Sequence, residues 1–227
     1  MNILAIDTSS VYASCAFMCD GVIVSEKVIQ GGLVHSEALF PIIEECLESV
    51  KASIGEVDVF ACCAGPGSFT GVRIGVCAVK GLAQANNKMC ARINTLDALS
   101  RNVQSFGTVC PIMDARRGQV YCAVYENGKI IRNYDACAIE ELAEFLKDRK
   151  TVFVGDGVKA FRSTLTELLG ENACFAQPEH NFTRASAAAA IANEEAEKGN
   201  LVTPAALDAI YLRVPQAERE FREKHSE

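Results

Sequence analysis

Two periods of apolar residues alternate along this chain. Asn2 to Asp7 is apolar almost throughout and predicts a strand buried on both faces. Val11 to Cys19 and Val22 to Ile29 predict a second and a third strand, joined by the hairpin pair Asp20-Gly21. Gly31-Gly32 breaks that meander. From His35 to Lys51 the period lengthens: Leu39, Ile42, Ile43, Cys46, Leu47 and Val50 fall on one helical stripe. Ser36 is the expected N-cap, and Pro41 marks either a late first turn or a kink.

Val57 to Ala64 reads as another buried strand, and Val72 to Ala85 as a helix. Between them stands Gly65-Pro66-Gly67-Ser68-Phe69-Thr70-Gly71-Val72-Arg73-Ile74-Gly75. This is a strand–turn–helix corner, in which Ser68 or Thr70 can accept the first free N–H groups of the helix. Such a corner is either a tight capped turn or a cradle for an anion. It lacks the Gly-Lys-Ser/Thr of a P-loop and the spacing of a dinucleotide fingerprint. Gly71, Gly75 and Ala78 give the helix a side on which another backbone can approach. Lys88 to Ile93 and Asp97 to Val103 predict a short strand and a short helix.

The second half repeats the first. A shift of 107 places Asp7 on Asp114, Cys15 on Cys122, Gly21 on Gly128 and Ile23 on Ile130 (114 − 7 = 107). Strands are predicted over Val109–Asp114, Val120–Glu126 and Lys129–Asn133, then a helix, the strand Thr151–Val154, the turn Gly155-Asp156-Gly157 and a second helix. The matched order of elements is the stronger sign of duplication. We expect lobes at 1–104 and 105–202, the first completed by a helix within 203–227.

Composition narrows the function. The chain has 227 residues, 49% of them hydrophobic and 22% charged, enough for a large core. Its net charge of −7 argues against a protein that grips nucleic acid by its overall charge. Eleven cysteines, several inside apolar runs, imply reduced core thiols. Cys15 and Cys19 share a strand face, but no second pair with knuckle spacing follows, so no metal site is expected. No apolar run reaches the ~18 residues of a membrane span, and no leader pattern is visible; the expected location is the cytoplasm.

Two repeats of meander, helix, strand and helix resemble the actin-like ATPase, sugar-kinase and heat-shock ATPase architecture. That is an α/β fold of two duplicated lobes with ribonuclease-H-like mixed sheets flanked by helices. The resemblance implies a nucleotide cleft reached by Asp7, Thr8, Ser9 and Ser10, by Gly65, Gly67 and Ser68, and by Asp114, Gly155 and Asp156. ATP or ADP in it is possible and none is required.

A closer resemblance rests on Ile6-Asp7-Thr8-Ser9, Val34-His35-Ser36-Glu37, the Gly65–Gly75 corner and Asp114-Ala115-Arg116-Arg117-Gly118-Gln119-Val120-Tyr121, in that order. It extends to Tyr211-Leu212-Arg213, and together these stretches are similar to the bacterial TsaB (YeaZ) family. The resemblance implies an accessory subunit of the machinery that makes threonylcarbamoyladenosine at position 37 of tRNA. Its partners would be the transferase TsaD and the ATPase TsaE, with tRNA reached through the complex and a homodimer when alone. The catalytic relative holds metal with two histidines four apart; here His35 is followed by Leu39. Arg116, Arg117 and Arg73 could reach tRNA phosphate or an acidic partner. The expected partner surface is His35, Leu39, Ile42, Ile43 and Cys46 with Val72, Arg73, Val76 and Val79. A small ATPase or kinase, with Asp114 or Asp156 as base, and a hydrolase are the alternatives.

Overall fold

A computed structural model describes residues 1–30, 35–103 and 107–213, and among them are ten strands and six α-helices. The meander is β1 (Asn2–Asp7), β2 (Tyr12–Cys19) and β3 (Val22–Gln30). Asp20 and Gly21 turn it with φ of 47° and 81°, the left-handed pair that suits the strand twist. After it come α1 (His35–Glu48), β4 (Val59–Cys63), α2 (Phe69–Ala85), β5 (Met89–Ile93) and α3 (Thr95–Ser100). The second half gives β6 (Thr108–Asp114), β7 (Gln119–Glu126), β8 (Lys129–Ala138), α4 (Ile139–Leu146), β9 (Thr151–Val154), α5 (Gly157–Leu169) and β10 (Ala173–Phe175). The last helix is α6 (Ala185–Glu197).

The duplication is visible in the sheets. One has the order β3-β2-β1-β4-β5 and the other β8-β7-β6-β9-β10, the same arrangement element for element. In each, the meander is antiparallel and the last two strands run parallel to the first. Asp7 ends β1 and Asp114 ends β6, so the two occupy equivalent strand ends in the two lobes.

Helices α1 and α2 cover one face of the first sheet through Leu39, Ile42, Ile43, Cys46, Val72, Val76 and Val79, joined by Phe60 and Leu4. The other face is covered by α6, whose Ala188, Ala189 and Ala192 meet Ile3, Ala5 and Ala61. Small alanines allow this close approach of helix to sheet. Here the structure corrects the even division of the chain. Helix α6 falls inside 105–202 yet packs on the first sheet, while α3 falls inside 1–104 and packs on β6 and β7. Leu96 and Leu99 of α3 lie in one cluster with Met113, Ala123 and Tyr125, and Asp97 accepts hydroxyl bonds from Tyr125 and Tyr134. Each half donates one helix to the other half's sheet.

Other expectations shift as well. The chain returns to the first lobe after residue 200, but as a bridge between Cys90 and Val202 and a single 3-10 turn at Pro204–Ala206, with Leu207 in the core. No longer helix occurs there among the described residues, and 214–227 lie outside them. Ser36 lies within α1 rather than before it, and Pro41 is interior to that helix. The glycine break at 31–32 also lies outside the described residues.

Candidate functional site at the cleft between the lobes

The corner at Gly65 is shaped by close backbone contacts. A Cβ on Gly71 would stand 2.0 Å from the Thr8 carbonyl oxygen, and one on Gly75 2.6 Å from Thr8 Oγ1. The small face of α2 is therefore filled by the turn after β1, within the chain. Thr8 Oγ1 donates to the Gly71 carbonyl at 2.7 Å, and the Ser68 N–H donates to Ser9 O at 2.7 Å. Ser68 caps α2 by accepting the Gly71 N–H at 3.3 Å. His35 Nε2 donates to Ser10 O at 2.7 Å, so its ring braces the same turn.

The second lobe mirrors this corner. A Cβ on Gly155 would stand 2.2 Å from Ile112 O, and Gly155 adopts a φ of +117° that a side chain disfavours. Its N–H donates to Asn181 Oδ1 at 2.9 Å. Asp156 Oδ1 accepts the Asp114 N–H at 3.1 Å, and Asp114 in turn accepts the Arg116 N–H at 2.7 Å and pairs with its guanidinium at 3.1 Å. Arg116, Arg117 and Gly118 form the hairpin tip with φ of 64°, 58° and 73°.

A cleft of 460 Å³ opens between these two corners. Of the residues expected there, Ser9, Ser10, Gly67, Ser68, Asp114 and Asp156 line it. His35, Phe69, Arg116 and Tyr121 line it too. Asp7, Thr8, Gly65 and Gly155 stand behind it. Gly65 lies under the returning C-terminal segment, 2.4 Å from Ile210 O by the position of its would-be Cβ. Asp7 is buried beneath the turn; Ser9 N–H donates to its Oδ1 at 3.2 Å, and its Oδ2 has no partner among the described residues. Burial pushes its carboxyl up to about 6.

The expected partner surface is placed differently. Leu39, Ile42, Ile43, Cys46, Val72, Val76 and Val79 all lie in the core. Their apolar spacing reports the sheet they cover, and only His35 and Arg73 of that set reach the surface. Helices α1 and α2 face outward instead with Phe40, Pro41, Glu44, Cys77 and Gly81. Arg73 has its guanidinium 3.6 Å from the centre of the exposed Phe69 ring, and its Nε donates to the Tyr211 hydroxyl at 2.8 Å. Phe69, Tyr211 and Arg213 are not among the expected site residues; Phe69 stands within the Gly65–Gly75 corner motif and the other two in the closing Tyr-Leu-Arg triplet.

One mixed cluster of possible metal ligands occurs among the described residues, at Asp135, Cys137 and Glu141. Arg132 bonds both carboxylates there, so a guanidinium already supplies the positive charge. No described helix is long and apolar enough to cross a membrane.

Residues 30–220 match the family model described as TsaD, tRNA N6-adenosine threonylcarbamoyltransferase. The chain is 30% identical over 98% of its length to the tRNA threonylcarbamoyladenosine biosynthesis protein TsaB of Bacillus subtilis, covering 99% of that protein. Among solved structures, it is similar to a Pseudomonas aeruginosa protein described as having similarity to peptidase YEAZ. The TM-score is 0.80 at 23% identity, over 93% of this chain and 99% of that one. A hexokinase of the ROK type from Thermus thermophilus matches with a TM-score of 0.52 at 14% identity, over 88% of this chain and 100% of that one. The last two likenesses establish the fold.

Proposed function

The chain belongs to the TsaB (YeaZ) family of tRNA threonylcarbamoyladenosine biosynthesis proteins, and from that premise we propose that it is the accessory subunit of the modifying complex. In this reading it carries no catalytic step of its own. It binds and supports a TsaD transferase, works with a TsaE ATPase, and meets tRNA within the assembly in the cytoplasm. The observation that carries the reading is the double use of α1 and α2. Their inner stripes complete the core, while their outer faces present an exposed aromatic and small residues. Phe40 is half exposed beside Pro41, and the exposed Gly81 has open space around its would-be Cβ. Such a face lets another helix pair approach closely. A second copy of this chain would compete for the same face.

Two further features support a non-catalytic role. Leu39, at the position of the relative's second histidine, is 1% exposed and apolar, and so offers no ligand. His35 is committed to Ser10. Nucleotide in the 460 Å³ cleft remains compatible with this reading, as a structural ligand.

The test is reconstitution of tRNA modification from the purified chain with TsaD and TsaE. Activity is expected only in the mixture. Phe40→Glu is expected to stay folded, because the side chain is exposed, and to weaken TsaD capture at least tenfold. Unchanged capture by a folded Phe40→Glu, or ATP turnover by this chain alone, overturns the proposal.

A further inference from the structure

An acidic chain has gathered arginines around one opening. Arg73, Arg116 and Arg213 come from three separate stretches and are linked beside the cleft, with Arg117 next to Arg116 at the exposed hairpin tip. Arg116 and Phe69 line it from opposite lobes. Arg213 Nη1 donates to Ala115 O at 2.7 Å, tying the C-terminal segment to the Arg116 hairpin. Tyr211 lies 5.6 Å from Phe69, ring centre to ring centre, and accepts from Arg73. Arg73, Arg116 and Arg213 thus belong to one connected ledge, with the exposed rings of Phe69 and Tyr211 set among them and Arg117 exposed at its hairpin end.

The charges on this ledge are held and left open. Arg73, Arg117 and Arg213 make no ion pair among the described residues, although the chain has a net charge of −7. Arg116 pairs only with Asp114 of its own hairpin, and its side chain is 86% exposed. Two consecutive non-glycine residues in the left-handed region are costly, of order 1 kcal/mol each. Here that backbone sets two consecutive exposed arginines, Arg116 and Arg117, at a hairpin tip. Stacking on Phe69 and the bond to Tyr211 fix Arg73, so little entropy is lost when it meets a ligand. Guanidinium groups match phosphate oxygens in pairs, and aromatic faces accept unstacked bases of any sequence.

We propose that this ledge binds RNA directly, taking the phosphates and unstacked bases of a single-stranded loop. The inference rests on the tRNA-modification reading above and gives this chain its own share of the RNA contact. A free nucleotide offers one phosphate cluster and one base, which a ledge of three linked arginines, an adjoining fourth and two rings exceeds. An acidic protein would satisfy the arginines but makes no call on the exposed rings.

The test is fluorescence anisotropy of the full chain with a labelled anticodon stem-loop RNA over a range of salt, with TsaD capture measured in parallel. Arg116→Gln/Arg117→Gln is expected to weaken RNA binding about tenfold. It is also expected to lower the slope of log K against log salt by about 1.4, roughly 0.7 for each lost phosphate contact on a single strand. Phe69→Ala is expected to weaken binding about tenfold through lost stacking and to leave the slope unchanged. TsaD capture by the arginine variant is expected to equal that of the parent chain. The proposal falls if RNA affinity and slope are unchanged in these variants, if inorganic phosphate or ADP at millimolar level displaces the RNA completely, or if the variants lose TsaD and keep RNA. A parent chain that binds RNA through the ledge but captures no TsaD would sink the accessory-subunit reading and uphold this one.

Discussion

Adding one methyl group to α2 should stabilise the protein at one glycine and destabilise it at another. Gly81 is exposed, helical and has nothing within 4 Å of its would-be Cβ, so Gly81→Ala keeps only the helix-propensity gain of about 0.5–1 kcal/mol. Gly71 offers the same propensity gain, but its Cβ would stand 2.0 Å from a backbone oxygen, that of Thr8. Relief requires α2 to move away from β1. That movement strains the core at about 1–3 kcal/mol and pulls apart the buried Thr8–Gly71 hydrogen bond, worth about 1 kcal/mol. At the upper end of that range, the net loss is about 3 kcal/mol. For a domain of this size it lowers Tm by about 6–12 °C, while Gly81→Ala raises it by about 1–4 °C. Thermal unfolding of both variants, followed by circular dichroism, gives the answer. Equal stabilisation by the two alanines would refute the claim that the corner is closed by backbone contact.

Asp7 carries a pH signature. Its folded carboxyl is pushed up to about 6 against an ordinary 3.8, so the folded state holds the proton more tightly. Stability is then expected to fall as pH rises from about 4 to 6, by about 3 kcal/mol (1.36 × 2.2), and to stay lowered above that. Asp7→Asn keeps the Ser9 N–H bond, and should abolish that slope and be the more stable protein at pH 8; urea titrations at pH 4, 6 and 8 would show it. Asn181→Ala leaves the Gly155 N–H without its acceptor and is expected to cost about 1–2 kcal/mol, seen as a Tm drop of about 2–8 °C.

Much of this fold was legible because its signals are local. Alternation and turn chemistry announced both meanders, and Asn127-Gly128 turns the second with φ of 50° and 76°, as its sequence demands. Strand β10 escaped notice since three residues carry no period, and its only neighbour is β9. Strand β8 runs on past the expected end at Asn133 to Ala138, through Tyr134 and Asp135, where no apolar alternation marks it. An edge strand with one face in solvent loses the apolar alternation that marks a strand. The exchange of α3 and α6 left no trace either. Periodicity says that a helix has a buried face and never names the sheet that buries it.

The same limit explains the candidate site. The stripe from Leu39 to Cys46 was correctly apolar, and apolar spacing was read as a surface for a partner although it is the inner face of α1. A docking face on a helix that also covers a sheet must consist of residues outside the periodic stripe, and these carry no repeating signal. Phe40 and Gly81 are therefore invisible until α1 and α2 are laid on β1 to β4. The ledge is harder still, being composed from positions 69–73, 116–117 and 211–213, up to 144 residues apart (213 − 69). What joins them is the crossing of the chain between lobes. Helix α3 seats the first half on the second sheet, α6 seats the second half on the first, and Arg213 closes the circuit on Ala115. A cleft whose two walls are each pinned by a helix from the opposite half resists opening as two independent lobes. Its lips then keep their spacing, which a surface that reads an RNA backbone requires.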